Sequence, residues 1–264
     1  AYNYHPTQGG NKYKPRKESL HALLARVYFY MGTYDKAAEE ADKALALNNR
    51  LNDMATWSFK DPERPYSGVT NMPLDLDSPE SLFHRRSSFS SILSSFAISN
   101  DLKNIYNEHD LRLKFYFTSV GRDGKPFEDG STRYLQPLQY YLGVPEMMLI
   151  KAEALARKGD MTALEIVNAL RKKRFASEHY TPLTAKDKNE LLTVVLEERR
   201  RELPLSGLRW ADMKRLGKEG LYTQTLKRTV KDEEHILAPN SPLYVFPIPP
   251  KVREINPAIV PNIR

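Results

Sequence analysis

Two strings near the C-terminal end restrict the fold more than any other part of the chain. Glu197 to Leu216 reads EERRRELPLSGLRWADMKRL, and Val245 to Asn262 reads VFPIPPKVREINPAIVPN. The first sets a charged helical run against a Gly-containing break and an Arg-Trp pair. The second is punctuated by proline, which lacks an amide N–H and disfavours helix in the residue before it, so it reads as an extended segment and not a helix. Together they predict a helical domain closed by a stiff tail. Arg199, Arg200 and Arg201 cannot all face one way, because consecutive helical residues point about 100° apart. At least one should turn inward, with Glu197 and Glu202 pairing with one of them or with Arg209, and Trp210 packing under the following loop.

Upstream, Lys14 to Asn49 holds the clearest local unit. Leu20, Leu23, Leu24, Val27, Tyr28 and Met31 fall on one helical stripe, and Gly32-Thr33 breaks it. Ala37, Ala38, Ala41, Ala44 and Leu45 form a returning stripe whose small residues allow close approach. Leu24, Ala25, Tyr28, Gly32, Tyr34, Ala37 and Ala44 also stand at tetratricopeptide-repeat spacing, with Asn49 where a proline is usual. A second pair spans Glu146 to Arg174 around Gly159-Asp160. About a hundred residues separate the two pairs, so they read as scattered repeats and not as a tandem solenoid. A third helix is expected to open at Thr184 with Asp187 as the capping-box acid, running through Leu191, Leu192, Val195 and Leu196.

The stretch from Leu51 to Leu142 reads as loops. Asp61-Pro62, Arg64-Pro65, Met72-Pro73 and Ser78-Pro79 interrupt any long element. Arg85 to Ser99 is rich in serine, with helical spacing at Phe89, Ile92, Leu93 and Phe96. Leu113 to Val120 alternates and is aromatic, and Arg122 to Lys125 supplies a turn, which predicts a short hairpin. Long loops on a helical frame are where binding is expected.

The chain of 264 residues is 41% apolar, long enough for a sizeable core. No run approaches the roughly 18 apolar residues of a spanning helix. Its N-terminus AYNYHPTQGG shows neither a signal sequence nor an initiator Met, so it reads as a mature product or an excised fragment. The absence of cysteine excludes disulfides, thiolate nucleophiles and Cys-ligated metals. A formal charge of +7 suggests nucleic acid, but bases alternate with acids along the helices. The one pure basic run, Arg171 to Arg174, sits where a helix should end and cations meet the C-terminal dipole.

Catalytic signals are sparse. There is no nucleophile elbow, phosphate loop or His-Glu-x-x-His pair, and the six histidines are far apart in sequence. Asp75-Leu76-Asp77 with Glu80 could ligate calcium but lacks the further acids and the glycine of such loops, so it reads as a turn before a helix starting at Ser78-Pro79. With 33 acidic residues, pairs such as Asp110 or Asp123 with Glu128 or Asp129 carry no signal of glycoside hydrolysis by themselves. No cofactor and no metal are expected. Aromatic residues of the loops weigh more: Trp57, Phe59, Tyr66, Tyr106, Tyr116, Tyr134, Tyr140 and Tyr141. Such rings can stack on a sugar face or grip a peptide side chain. Trp57 and Tyr66, set among turn residues, are the candidate ligand contacts, each removable without unfolding; Tyr28, Tyr30, Tyr140 and Tyr141 read as packing.

The order of these blocks resembles the SusD/RagB family, surface-exposed nutrient-binding lipoproteins of Gram-negative outer membranes that work with a TonB-dependent transporter. Four stretches carry the resemblance: Lys17 to Leu47, Glu146 to Arg174, Glu197 to Leu216 and Val245 to Asn262. The E-R-R-x-E-L-x-x-x-G-x-R-W-x-D-x-K-R pattern is met from Glu198 to Arg215. The terminal F-P-I-P and N-P pattern is met at Phe246 to Pro249 and at Asn256-Pro257. An arginine that the family often carries before the Pro-Glu of its second block is replaced by Gly143-Val144. Members are typically longer, with a lipidated cysteine and an N-terminal helical segment, so the chain resembles their C-terminal portion.

The resemblance implies a predominantly α fold, tetratricopeptide-like helix pairs framing long loops and a small β-hairpin, in one SusD-like domain over 1–264. The pairs are expected at about 17–48 and 146–174, the ligand region at about 51–142, and a C-terminal helix and tail at about 186–264. It also implies non-catalytic capture of nutrient oligomers, glycans first, for a SusC-like TonB-dependent transporter, with membrane contact through a lipid anchor absent from this chain. An oligopeptide-binding member and a helical-repeat adaptor for proteins are the alternatives.

Overall fold

The computed structural model describes residues 14–73, 77–84, 95–135 and 142–263. Its contacts divide into two compact units, 1–206 and 207–264, where the sequence is read as one domain.

The first unit opens with α1 (Lys17–Tyr30) and α2 (Tyr34–Leu47). Between them Gly32 sits at φ +77° with nothing near its missing Cβ, so backbone conformation alone calls for glycine there. Then follow β1 (Ser58–Phe59), β2 (Val69–Thr70), β3 (Ser81–Phe83), the short helices α3 (Asn100–Lys103) and α4 (Leu111–Tyr116), and β4 (Phe117–Thr118), β5 (Arg133–Tyr134) and β6 (Leu142–Gly143). Long helices α5 (Val144–Lys158), α6 (Thr162–Lys172) and α7 (Lys188–Glu202) complete it. The strands form antiparallel pairs, β1 with β2, β3 with β6 and β4 with β5.

Helix α5 is central. It packs on α2 at one side and on α6 and α7 at the other, so the two helix pairs, distant in sequence, are neighbours in space. Ala22 and Ala25 of α1, Ala37, Ala41 and Ala44 of α2, and Val144, Met147 and Ile150 of α5 share one core with Phe29, Leu82 and Leu142. The alanines let the backbones approach, as their spacing predicts.

The apolar stripe expected on α1 is corrected. Leu20, Leu23, Leu24, Val27 and Met31 are 42–66% exposed, and only Tyr28 packs against the core. Close contact with α2 and α5 admits Ser19, Ala22 and Ala25 and turns the larger aliphatics to the other side. Charged groups of α1 reach inward instead: Arg26 Nε donates to Glu146 Oε1 at 2.7 Å, and His21 Nδ1 lies 2.6 Å from Glu40. Glu146 thus finds its partner on α1, where the sequence lacks the arginine usual before it.

Several boundaries also move. Helix α7 begins at Lys188, because Asp187, not Thr184, is its N-cap and accepts from the N–H of Asn189 and Glu190. Ser78-Pro79 leads into strand β3, not a helix. The alternating run from Leu113 is helical to Tyr116, started by Asp110 accepting from the Arg112 N–H, and only Phe117-Thr118 pairs as strand.

The second unit holds α8 (Arg209–Lys218), the hairpin β7 (Leu226–Val230) with β8 (Glu233–Leu237), and α9 (Pro250–Ile255). The tail is therefore not wholly extended. Proline at the first turn costs a helix nothing, since that N–H has no partner within it. Trp210 Nε1 donates to the Tyr244 carbonyl at 3.0 Å, and its ring stacks on Phe246 with centroids 5.5 Å apart and planes 20° apart. The Arg-Trp string and the F-P-I-P string meet at this point. Arg209 lies over the Tyr222 ring, 5.3 Å from its centre.

Candidate functional site

The loops of the first unit are anchored by a buried cage of charge. Arg112 donates to Asp110 at 2.7 Å, to Glu198 at 2.7 Å and to Glu202 at 2.8 Å. Arg174 donates to Glu80 at 2.6 Å, to Glu202 at 2.7 Å and to the Asn52 carbonyl at 2.9 Å. Arg171 and Arg201 both reach Glu198 Oε2, at 3.1 and 2.9 Å. Four arginines meet four carboxylates, every one of them buried. Burial pushes Glu198 up, but Arg112, Arg201 and Arg171 outweigh it and hold the carboxyl at about 2. Burial, aided by Glu202 and opposed by Arg174, leaves Glu80 above the usual range.

This arrangement settles several sequence readings. Arg199 and Arg201 are buried, whereas Arg200 is half-exposed and bonds to Asp101. Glu197 pairs with Arg201 at 3.2 Å as expected, but Glu202 takes Arg112 and Arg174, which come from outside its own helix. The basic run 171–174 is largely consumed internally, with Lys173 held by Asp53 at 2.6 Å. Glu80 and Asp110 are ion-pair members, not calcium ligands or catalytic acids. Asp75 lies outside the described residues. Among these residues no group of three or more metal-ligating side chains converges. His109 and His179 do meet, their rings stacked at 3.9 Å and 2°; in a parallel stack the ring nitrogens do not point at a common centre.

Above the cage lies an aromatic cluster of Met54, Trp57, Tyr106, Phe115, Tyr116, Phe117 and Tyr134. Trp57 is 6% exposed and meets Phe115 edge-on at 5.5 Å. Its place among turn residues suggested an accessible ring, and the structure places it in the interior, where deletion would leave a cavity. Burial argues that its removal costs stability as well as any contact with ligand. Tyr106, Tyr116 and Tyr134 are buried with it; Tyr140 and Tyr141 lie outside the described residues.

Outward of this cluster, an open cleft of about 550 Å³ runs between the loop 61–67 and the segment 117–132. Phe117, Leu113, Pro62, Pro65 and Val120 give it apolar walls, and Thr118, Ser119, Thr132, Lys103 and Glu63 give it polar groups. Phe117 belongs to both cleft and cluster. Asp61 shapes one side, its carboxylate accepting from the Glu63 N–H at 3.0 Å and its N–H donating to Ser67 Oγ at 3.1 Å. On the other side Gly124 sits at φ +80°, and a Cβ there would lie 3.2 Å from the Glu63 carbonyl. The two loops approach closely only because that residue is glycine.

Tyr66 follows Pro65 and is half-buried, with the Arg122 guanidinium 5.1 Å from its ring centre. Burial pushes its phenol up against the pull of Arg122 and Arg133. Asp129, at the end of the same segment, is held at about 2 by bonds from Ser131 and by Arg133, far from the raised value of a general acid. Of the two sequence candidates, Tyr66 is beside the cleft and Trp57 is beneath the aromatic floor. Lys103, Ser119 and Thr132 carry no local pattern that sequence reasoning could detect; only folding brings them to one rim.

Residues 141–263 match the sequence model of the SusD family. The chain is SusD/RagB-like. SusD-like protein P2 of Formosa agariphila is 31% identical over 160 residues, 56% of this chain and 28% of that protein. SusD-like protein P38 of the same organism is 40% identical over 79 residues, 28% of this chain and 16% of that protein. The chain therefore spans under a third of the curated relatives it matches. A SusD-like carbohydrate binding protein of Bacteroides vulgatus superposes with a TM-score of 0.66 at 20% identity, covering 97% of this chain and 60% of that one. A SusD superfamily protein of the same organism gives 0.67 at 19% identity, with 96% and 60% covered. These solved structures establish the SusD-like fold.

Proposed function

We propose that this chain is the ligand-gripping part of a surface protein that captures nutrient oligomers, glycans first, without catalysis, and passes them to a SusC-like TonB-dependent transporter. The observation that carries the reading is the cleft between loops 61–67 and 117–132. Its apolar walls and hydroxyl-bearing rim suit a sugar ring, whose C–H face seeks an aromatic or aliphatic surface while its hydroxyls seek polar groups. Tyr66, backed by Arg122, is the aromatic contact at the edge. Trp57 acts from below, stiffening the cluster that contains Phe117. The family resemblance adds the outer-membrane surface, the lipid anchor and the transporter, and the SusD-like relatives support the carbohydrate class.

A native mass-spectrometric screen offering mixed oligosaccharides and mixed peptides tests it, followed by calorimetric titration of any ligand retained. Ser119→Trp should fill the cleft and weaken sugar binding at least about tenfold, roughly 1.4 kcal/mol or more, with an unchanged melting temperature. Retention of peptides alone would move the protein to the oligopeptide branch. Retention of neither would favour an adaptor role, and hydrolysed sugars would end the non-catalytic reading.

A further inference from the structure

Two cations at the mouth of the cleft have no acid beside them. The arginines of the cage are matched by carboxylates, and so is Arg133 of the cleft segment, held by Asp129 at 3.0 Å. Arg122 and Lys103 differ. Among the described residues the exposed Arg122 guanidinium has only the Tyr66 ring as partner, and the Lys103 ammonium has only the Thr132 hydroxyl, at 3.4 Å. Arg122 and Arg133 both act on the Tyr66 phenol, so the field is positive where that ring stands. A neutral sugar offers such groups little, because its hydroxyls are no better partners than water. An oxyanion offers more: a hydrogen bond between charged groups is roughly twice as strong as a neutral one, and a guanidinium presents its donors as a fork that two oxygens of one group can fill.

We propose that the cleft selects acidic oligosaccharides, whose sugars carry a carboxylate or a sulfate ester, and that Arg122 reads the charge with Lys103 as a second cation. The proposal rests on the cleft being the glycan site, as read above. A sugar seated against Tyr66 brings its substituents to the guanidinium that lies over the same ring. Glu63, the acid on the cleft wall, works against such a ligand and leaves Arg122 and Lys103 as the groups towards which its acidic substituents turn. Stacking on the ring and binding of the charge are then two separable contributions, one shared by every sugar and one kept for acidic sugars.

Calorimetric titration at low salt tests this with two matched pairs: an oligogalacturonate and its methyl ester, and a sulfated galactose oligomer and its desulfated form. In at least one pair the acidic member should bind about tenfold tighter or more, and salt should shrink the advantage. A preference in the first pair alone identifies the carboxylate, and in the second alone the sulfate ester. Arg122→Met keeps an apolar stem over Tyr66 and should bring the two members of the preferred pair to within about twofold of each other. Equal affinities in both pairs would overturn the inference and leave the glycan site standing, provided Ser119→Trp still weakens binding. A preference that survives Arg122→Met would overturn it as well. Binding of none of the four oligomers, or binding indifferent to Ser119→Trp, would remove the cleft reading itself and this inference with it.

Discussion

Helix α7 carries Glu198, Arg201 and Glu202 into the interior, whereas α1 turns Leu20, Leu23, Leu24 and Val27 towards solvent. By composition the reverse would be expected of both. The difference teaches that burial is decided by what arrives opposite a side chain. A carboxylate can lie inside where guanidinium groups, three of them at Glu198 and two at Glu202, satisfy its oxygens and offset the loss of water. A leucine is left outside where the inward positions of its helix are already taken, here by Ser19, Ala22, Ala25 and Phe29.

The comparison breaks first if the cage can be emptied cheaply. Arg112→Ala strands Asp110, Glu198 and Glu202 and should cost about 3–5 kcal/mol, read as a fall in the urea midpoint with little change in slope. Acid should act next. Glu198 is held at about 2 against an ordinary 4.5, so the stability it contributes is present above pH 4.5 and is lost as pH falls towards 2. Its full size is roughly 3 kcal/mol, and Glu198→Gln should flatten the urea-midpoint profile in that window. Trp57→Ala should cost about 3 kcal/mol by opening a cavity in the aromatic cluster; calorimetric melting checks it, and a neutral result would return Trp57 to the ligand side. Gly32→Ala should cost about 1 kcal/mol through its positive φ. Smallest of all, Leu23→Lys in this chain should stay within about 0.5 kcal/mol. A loss of several kcal/mol there would mean that α1 is already covered and that its contrast with α7 is false.

Much of the frame was legible in the sequence. The glycine break at Gly32, the alanine stripe of α2 and the second pair closed at Gly159 all announce themselves through spacing and backbone need. What stayed hidden has physical reasons. The α1 stripe has the correct period, but period cannot say which of two sides meets the next helix. The hairpin of β7 and β8 turns at Lys231 and Asp232, both at positive φ. Such a turn normally announces itself with Asn-Gly or Asp-Gly, and Lys-Asp gives no such sign. The inward turn of at least one arginine among 199–201 follows from helical geometry alone, while partners such as Tyr30 for Arg199 and Asp101 for Arg200, 169 and 99 residues away, do not. The cleft rim was illegible for the same reason, since Lys103, Ser119 and Thr132 are ordinary surface residues until the loops close.

The cage also sets an order of events at the ribosome. Its members enter the chain at residues 52, 80, 110–112, 171–174 and finally 198–202. Helices α1 and α2 can pair as soon as both have emerged, because their contacts are local. The segments between them and α5 have no such recourse: Arg112 and Arg174 have no complete set of counter-charges until Glu202 has been translated. Until then the loops of the cleft are a nascent segment in want of its last carboxylate, and a chain stopped short of α7 should be the species that chaperones hold and proteases find.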